Sequence, residues 1–254
     1  MHLLGLDFPG INHIVKFRPI FSLGGFSFNK VGLIVVIAAA LTLVMFLMAG
    51  AKGELVPTGL QNVVESGIDF VENGIILQAI GEGGLGWLPY LTSLFFFIFF
   101  MNISEIIPVL QMPAPARMAV PLVLSLLTWV IFIAVGLKHQ GPGYFKAALF
   151  PPGVPKALYI LVTPIELLST FIVRPFSLAV RLFANELAGH ILLVTFAVLT
   201  EALFRPKWFA PISAVTFVAF IAFTAFEILV AVLQAYIFTI LTAVYIGGAM
   251  HPEH

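Results

Sequence analysis

Ionisable and amide side chains interrupt two long apolar stretches near the end of the chain. Arg181, Asn185 and His190 lie in the first stretch, and Glu227 and Gln234 lie in the second. Such groups are costly in an apolar environment, so they are candidates for function. A guanidinium keeps its charge at any relevant pH, whereas an imidazole titrates near neutrality and a nearby carboxylate shifts that titration. These residue types favour proton transfer beside a permanent positive charge.

The arginine lies on a helical face of small and polar side chains. At the three-to-four-residue spacing that aligns side chains on one face of a helix, this face carries Ser177, Arg181, Ala184, Asn185 and Ala188. Small residues let a second helix pass or pack closely. Two structural explanations stay open for the arginine, which could extend towards lipid headgroups or pair with Glu186.

A hairpin of the two stretches would bring their polar residues together. In an antiparallel pair that turns at 204–210, residues whose numbers sum to about 415 lie at one level. This places Arg181 level with Gln234, and His190 level with Glu227. The two levels are separated by about 13 Å along the helix. His190 and Glu227 then form either a proton relay in a water-filled cavity or a static ion pair that fixes the helix register.

Three further polar residues are weaker candidates. Asn102, Glu105 and Glu166 lie near the ends of apolar stretches. Each of them could instead lie at a membrane interface.

The composition identifies lipid as the main solvent of the chain. Of 254 residues, 61% are hydrophobic and only 9% are charged, against about 25% in soluble domains. A soluble fold of this size cannot bury so much apolar surface, which excludes a soluble enzyme and a disordered chain. The 12 basic and 12 acidic residues balance, so nothing points to nucleic acid.

The sequence also lacks the residues that usually bind cofactors. The chain has no cysteine, which excludes disulfides, thiolate chemistry and iron–sulfur clusters. His139 and His190 are the only histidines in the apolar region, too few for a two-haem bundle. No GxxxxGK[ST] motif is present to bind a nucleotide. We therefore predict no cofactor, no metal ion and no catalytic residue.

The apolar runs predict an all-α integral membrane protein with about five membrane helices in a single domain over 1–254. After an N-terminal segment at 1–30, the first span covers 31–51, which is long enough to cross about 30 Å of hydrocarbon. The second and third spans, 88–110 and 119–137, lie within 88–138.

The connections between these spans differ in character. Residues 54–78 mix acids with apolar residues at near-helical spacing, which favours an interfacial amphipathic helix or a solvated loop with one amphipathic turn. Glycines at 81–86 predict a linker, and 139–156 reads as a connection rich in glycine and proline.

The helical hairpin occupies 164–248. Its helices, 164–203 and 211–246, would be about 60 Å and 54 Å long, well beyond the hydrocarbon thickness. We predict that both are strongly tilted, with a bend near Pro175. Pro164 and Pro211 suit first-turn positions of these helices.

Three sequence blocks resemble subunit a of the rotary F-type ATP synthase. RPFSLAVRLFANELAGHILL (174–193) is similar to that family's P-x-[ST]-L-x-x-R-L-x-x-N-x-x-[AG]-G signature, which falls here on Pro175, Ser177, Leu178, Arg181, Leu182, Asn185, Ala188 and Gly189. EILVAVLQAYIFTILTAVYI (227–246) resembles the family's last helix, and NISEIIP (102–108) resembles its N-x-x-[DE]-x-x-P block. The resemblance covers roughly residues 30–248.

The resemblance implies a proton-translocating stator with two offset aqueous half-channels. Arg181 matches the essential arginine that faces the carboxylate of a ring of c subunits. Asn185, His190, Glu227 and Gln234 match polar positions of the inlet half-channel. Other members have an acid at the position of His190 and a histidine at that of Glu227, so this chain carries the pair exchanged.

Glu166 resembles the acidic position of the outlet half-channel, although it stands nine residues before Pro175 where many members have eight. The implied partners are the c-ring, b-type peripheral stalk subunits, the rest of the ATP synthase, the lipid bilayer and protons. The implied location is a bacterial plasma membrane or a mitochondrial inner membrane.

Two other classes of protein fit the residues without the resemblance. A free-standing proton channel or secondary transporter could use the same relay and would work alone. No internal repeat is visible, although many secondary transporters consist of two related halves. A redox-linked proton-pumping subunit would require cofactor-bearing partners.

Overall fold

The computed structural model describes residues 19–23, 26–52, 59–107, 110, 112–150, 155, 158–204 and 209–250. Most of the N-terminal segment, the start of 54–78 and most of the turn between the two long helices therefore lie outside the described residues. Before the first span, β1 (Pro19–Leu23) pairs with β2 (Phe26–Asn29) in an antiparallel hairpin. These strands are not predicted by the sequence pattern.

Five helical segments among the described residues are long and apolar enough to cross a membrane. They are Lys30–Gly50, Glu82–Ile103, Ala119–Gln140, Tyr159–Phe204 and Pro211–Met250. This confirms the predicted all-α integral membrane fold with about five membrane helices.

The first and third spans follow their apolar runs closely. Helix α1 is Lys30–Lys52, and α5 is Ala119–Gln140, three residues longer than predicted. Gly141 ends α5 with a φ of +61°, the left-handed conformation that favours glycine. The connection that follows contains another short helix, α6 (Gly143–Leu149).

An amphipathic helix follows the first span. Helix α2 (Leu60–Val71) continues through a π-helical turn (Glu72–Ile76) into the short α3 (Leu77–Ala79). Its apolar face is buried at Val64 and Val71 and packs on the first and second spans. The alternative of a loop with one amphipathic turn is therefore wrong for residues 60–79. The predicted interfacial position stays a prediction.

The second span, α4 (Leu88–Ile103), begins and ends differently from its prediction. The glycine segment before it is a 3₁₀ turn (Glu82–Trp87) that runs directly into the helix, rather than a free linker. The helix ends seven residues before the predicted Leu110. The chain turns there because the Ser104 hydroxyl is shared between the carbonyl oxygens of Met101 and Met112, at 2.7 Å and 2.8 Å.

The penultimate helix is a single helical run, Tyr159–Phe204. It consists of α7 (Tyr159–Leu168), a π-helical turn (Ser169–Val173) and α8 (Arg174–Phe204). The π turn lies directly before Pro175, whose missing N–H interrupts the hydrogen-bond ladder. Pro164 lies inside α7 rather than in its first turn. The helix starts earlier because membrane helices tolerate an internal proline.

The last helix, α9 (Ala210–Met250), carries Pro211 in its first turn as predicted. It packs antiparallel on α8 and also contacts α4 and α5. Small side chains allow this close packing, among them the fully buried Ala235 and Ala243. At Gly247 an added Cβ would lie 2.7 Å from the carbonyl oxygen of Ala79. The last helix therefore packs against α8, α4 and α5, and the polar site lies between it and α8.

Candidate functional site

Arg181 lies on the outer face of α8. Its side chain is exposed, as are those of Ala184, Asn185 and Ala188, while Ser177 is half-buried. Among the described residues, no hydrogen bond or ion pair to Arg181 is present. The alternative of a pair with Glu186 is wrong, because Glu186 is buried and interacts electrostatically with other carboxylates. The face of small residues thus presents one permanent charge to whatever covers it.

A direct hydrogen bond joins the two helices of the hairpin below this arginine. The Asn185 side-chain amide donates to Gln234 Oε1 at 2.8 Å. The direct partner of Gln234 is therefore Asn185, one helical turn from Arg181, with which the sequence placed Gln234 level. The numbers of this pair sum to 419, and those of the hydrogen-bonded Thr200 and Thr216 sum to 416, close to the predicted sum of about 415.

His190 makes its contact with a residue outside the hairpin. Its Nδ1 lies 3.2 Å from Glu105 Oε1, and both side chains are buried. The predicted partner was Glu227, so the contact is corrected to Glu105, which the sequence analysis treated as a weaker candidate. The turn after α4, which Ser104 holds, brings Glu105 to the penultimate helix. The sequence feature that could have indicated Glu105 as a site residue is the NISEIIP block, which contains it.

Glu227 lies at the level of His190, as predicted, but its carboxylate packs against the backbone of α8 at Gly189. A Cβ added to Gly189 would overlap the Glu227 carboxylate, so these two residues are in close contact. Only glycine permits this approach. Glu227 is therefore level with His190, as predicted, although the contact of the imidazole is with Glu105.

A third carboxylate belongs to the same cluster. Glu186 is only 2% exposed and interacts electrostatically with Glu105 and Glu227. It lies one turn before His190 on α8, which places both side chains on one face. From the sequence, Glu186 was predicted only as a possible partner of Arg181, because an ion pair with a near neighbour is the simplest expectation for a charge in a helix.

Two cavities approach this cluster from different directions. One, of about 520 Å³, is lined by Glu105 and His190 and by residues further along both helices towards their turn, including Ala197, Val198 and Phe220. The other, of about 290 Å³, is lined by Asn185, Gly189, Glu227 and Gln234. The titratable groups therefore lie between a cavity that extends towards the hairpin turn and one beside the Arg181 face.

Buried polar atoms near these residues have no protein partner. Gln234 Nε2 and both polar atoms of the Asn102 side chain are buried and accept or donate no hydrogen bond within the part of the chain that the structure describes. Buried groups of this kind are normally satisfied by internal water. The arrangement suits proton movement through water and side chains.

Glu166 is not brought into this cluster. It is half-buried in α7, on the other side of the π turn from α8. It stands fifteen residues before Arg181, which is about 22 Å along a helix. No group of three or more histidine or acidic residues in the described ranges could hold a metal ion.

The fold and the site define a multi-pass membrane protein whose last two helices enclose a buried cluster of titratable groups behind an exposed arginine. A sequence model of the family described as ATP synthase A chain matches residues 32–247. The chain belongs to this family.

Bacterial proteins named ATP synthase subunit a are similar over most of the chain. The Frankia alni protein is 47% identical over 229 residues, covering 89% of this chain and 79% of its own length. The Rhodococcus erythropolis protein is 44% identical over 234 residues, with coverages of 91% and 85%. The Hyphomonas neptunium protein is 41% identical over 229 residues, with coverages of 89% and 88%. Together with the five apolar helices, these relatives identify an integral multi-pass protein of a bacterial plasma membrane.

Proposed function

We propose that this chain is the proton-translocating stator subunit of a rotary ATP synthase, with two offset half-channels beside a ring of c subunits. The observation that carries the proposal is Arg181, an exposed arginine on a face of small residues that has no partner in the part of the chain that the structure describes. A permanent charge in a membrane helix requires a partner. A carboxylate on a passing ring supplies that partner, and the small residues leave room for its helix.

The arginine acts by electrostatics. A ring carboxylate must be neutral while it faces lipid, because a bare charge there is costly. Beside Arg181 the ionised carboxylate is favoured, so the proton leaves. The fixed positive charge also prevents protons from passing directly between the half-channels. At 100 mV each transferred charge carries about 2.3 kcal/mol, which drives rotation in one direction.

The inlet half-channel begins at the cavity that extends towards the hairpin turn. A proton reaches His190 and Glu105, which line this cavity and contact each other. It continues past Glu227 into the second cavity, where Asn185 and Gln234 are hydrogen-bonded beside the ring-facing surface. We assign Glu166, which is separate from these residues, to the outlet half-channel.

The chain performs no bond chemistry in this scheme and needs no cofactor. It is a non-catalytic component of the ATP synthase, where it contacts the c-ring and is held against it by b-type peripheral stalk subunits. ATP synthesis itself occurs elsewhere in the complex. No nucleic acid takes part.

The test is Arg181→Ala in the complete complex, assayed in inverted membrane vesicles. We expect ATP-driven proton pumping to fall to background and passive proton conductance to rise, while the released soluble motor still hydrolyses ATP. Arg181→Lys should fail as well, since a lysine can lose its proton and lacks the planar guanidinium.

Arg117→Ala is the matched control, because Arg117 is an exposed arginine outside the hairpin. This variant should pump as the wild type does. Normal coupled pumping by a fully assembled Arg181→Ala complex would overturn the proposed function.

A further inference from the structure

Glu186 is a buried titratable group to which the proposed half-channels assign no role. It is 2% exposed and has no hydrogen-bond partner among the described side chains. Its carboxylate interacts electrostatically with those of Glu105 and Glu227. A buried carboxylate without a cation or a donor is costly, and a purely structural explanation would require a stabilising contact that the described residues do not provide.

Glu186 interacts with one acid from the lining of each cavity. Glu105 lines the cavity that extends towards the hairpin turn, and Glu227 lines the cavity beside the Arg181 face. Neither cavity is lined by both of these acids. Glu186 is buried and interacts with each of them, and Glu105 and Glu227 also interact with each other.

A second observation indicates that the cluster is hydrated. Gln234 is 1% exposed and lines the cavity beside the Arg181 face, yet its Nε2 donates to no described residue. Asn102, three residues before Glu105, is likewise buried with both polar atoms unpaired. Water is the partner that such groups take. No group of three or more histidine or acidic residues placed to hold a metal ion is present among the described residues.

We propose that Glu186 is a proton carrier that links the two cavities of the inlet half-channel. This inference rests on the proposed function. One oxygen of its carboxylate accepts a proton from the side of His190 and Glu105. Glu186 then releases a proton towards Glu227 and returns to the carboxylate. One proton is taken up and one is released, and no electron moves.

Few other charged groups face Glu186. Glu227 approaches from the last helix, Glu105 from the turn after α4, and His190 lies one turn along its own helix. The 3₁₀ turn Ala114–Ala116 that packs on α8 is apolar, and the following Arg117 is exposed. Helix α5, which also packs on α8, has no charged residue before Lys138.

The experiment compares Glu186→Gln with Glu186→Asp in the complete complex, in inverted vesicles across a range of pH. Glutamine keeps the size of the side chain but cannot carry a proton, whereas aspartate keeps the proton site but is shorter. We expect Glu186→Gln to slow pumping about tenfold, less than the hundredfold or more typical of a lost acid–base group, because water bridges part of the gap. Glu186→Asp should pump faster than Glu186→Gln and with a shifted pH profile.

A structural role predicts the reverse order, with glutamine tolerated better than aspartate. That order, or wild-type pumping with an unchanged pH profile in assembled Glu186→Gln, overturns the inference. If Glu186→Gln does not assemble, the pH profile of Glu186→Asp decides, and a wild-type profile overturns it. Glu82→Gln is the matched control, since Glu82 is an exposed carboxylate outside the hairpin.

The Arg181→Ala measurement separates the two proposals. Glu186→Gln should not raise passive proton leak, because Arg181 remains in place. If Arg181→Ala uncouples the complex but Glu186→Gln pumps normally, only the inference on Glu186 fails. If Arg181→Ala remains coupled, the proposed function fails irrespective of Glu186.

Discussion

Two arginines on α8 differ in burial and in their contacts. Arg174 is half-buried, and its guanidinium lies 5.5 Å from the centre of the Tyr245 ring, a cation–π contact within the subunit. Arg181, two turns later, is exposed and has no such contact among the described residues. The first arginine is stabilised by its own chain. The second has no stabilising contact among the described residues, and the proposed mechanism pairs it with a carboxylate of the ring.

Gly189 controls the position of the Glu227 carboxylate, and Gly189→Ala tests this. The new methyl group would overlap that carboxylate. Glu227 ends a flexible side chain, so it can move away without disrupting the backbone. We expect the variant complex to assemble normally, because alanine favours a helix over glycine by about 1 kcal/mol. ATP-driven pumping should fall severalfold without added passive leak, measured in inverted vesicles.

Gly248→Ala provides the control for this substitution. It is also a helical glycine, but an added Cβ there meets no atom within 4 Å. This variant should pump at the wild-type rate. Equal pumping by the Gly189 and Gly248 variants would show that the close approach of Glu227 to the helix has no role in transport.

Individual site residues differ in how far the sequence could locate them. The face of Arg181 and Asn185 was predictable, because helical periodicity is a local property and both are exposed on it. The contact of His190 with Glu105 was not, because it depends on how the chain turns between Ile103 and Met112. Glu186 was misread because proximity in sequence suggested a partner that lies on another face.

At the scale of elements, apolar run length predicted where most helices lie, and tertiary contacts decided where they end. Helix α1 follows its uncharged run to within a residue at each end. The second span ends early because Ser104 is bonded to the carbonyl oxygen of Met112, a contact that no local pattern encodes. The π turn before Pro175 was predicted only as a bend, since a missing N–H can be accommodated in several ways.

The two long helices should be steeply tilted in the membrane. The penultimate helix is a helical run of 46 residues and the last helix has 41, about 69 Å and 62 Å against a hydrocarbon thickness of about 30 Å. We expect both to lie well beyond the average tilt of about 20°. Electron cryomicroscopy of the complex in lipid nanodiscs measures these angles directly.

Helix α5 is the internal control for tilt. Its 22 residues span about 33 Å, which matches the hydrocarbon thickness without steep tilt. An ordinary inclination of α5 beside steep long helices is the expected result. If both long helices lie within about 20° of the membrane normal, the length argument is wrong and their ends must extend into water.

Across the whole molecule, the buried acids and the exposed polar residues of α8 lie on different faces of that helix. Glu105, Glu186 and Glu227 are buried by the packing of the last two helices with the turn after α4. Arg181 and Asn185, on the opposite face of α8, are exposed. A lipid-facing arginine without a partner is costly. Under the proposed function, the buried acids form the proton path, and the Arg181 face is covered by a second protein, the c-ring.

The isolated chain should therefore conduct no protons by itself. Under the proposed function the inlet residues lead to the Arg181 face, where the fixed charge stops a proton unless a ring carboxylate collects it. We expect proteoliposomes that contain only this chain to show the passive proton flux of empty liposomes under an imposed potential. Adding the c-ring and stalk subunits should restore flux, and the soluble motor should couple that flux to ATP. A free-standing channel or transporter predicts flux from the chain alone that Glu227→Gln reduces. Observation of that result would reject the stator function and leave the buried acids as the path of an independent transporter.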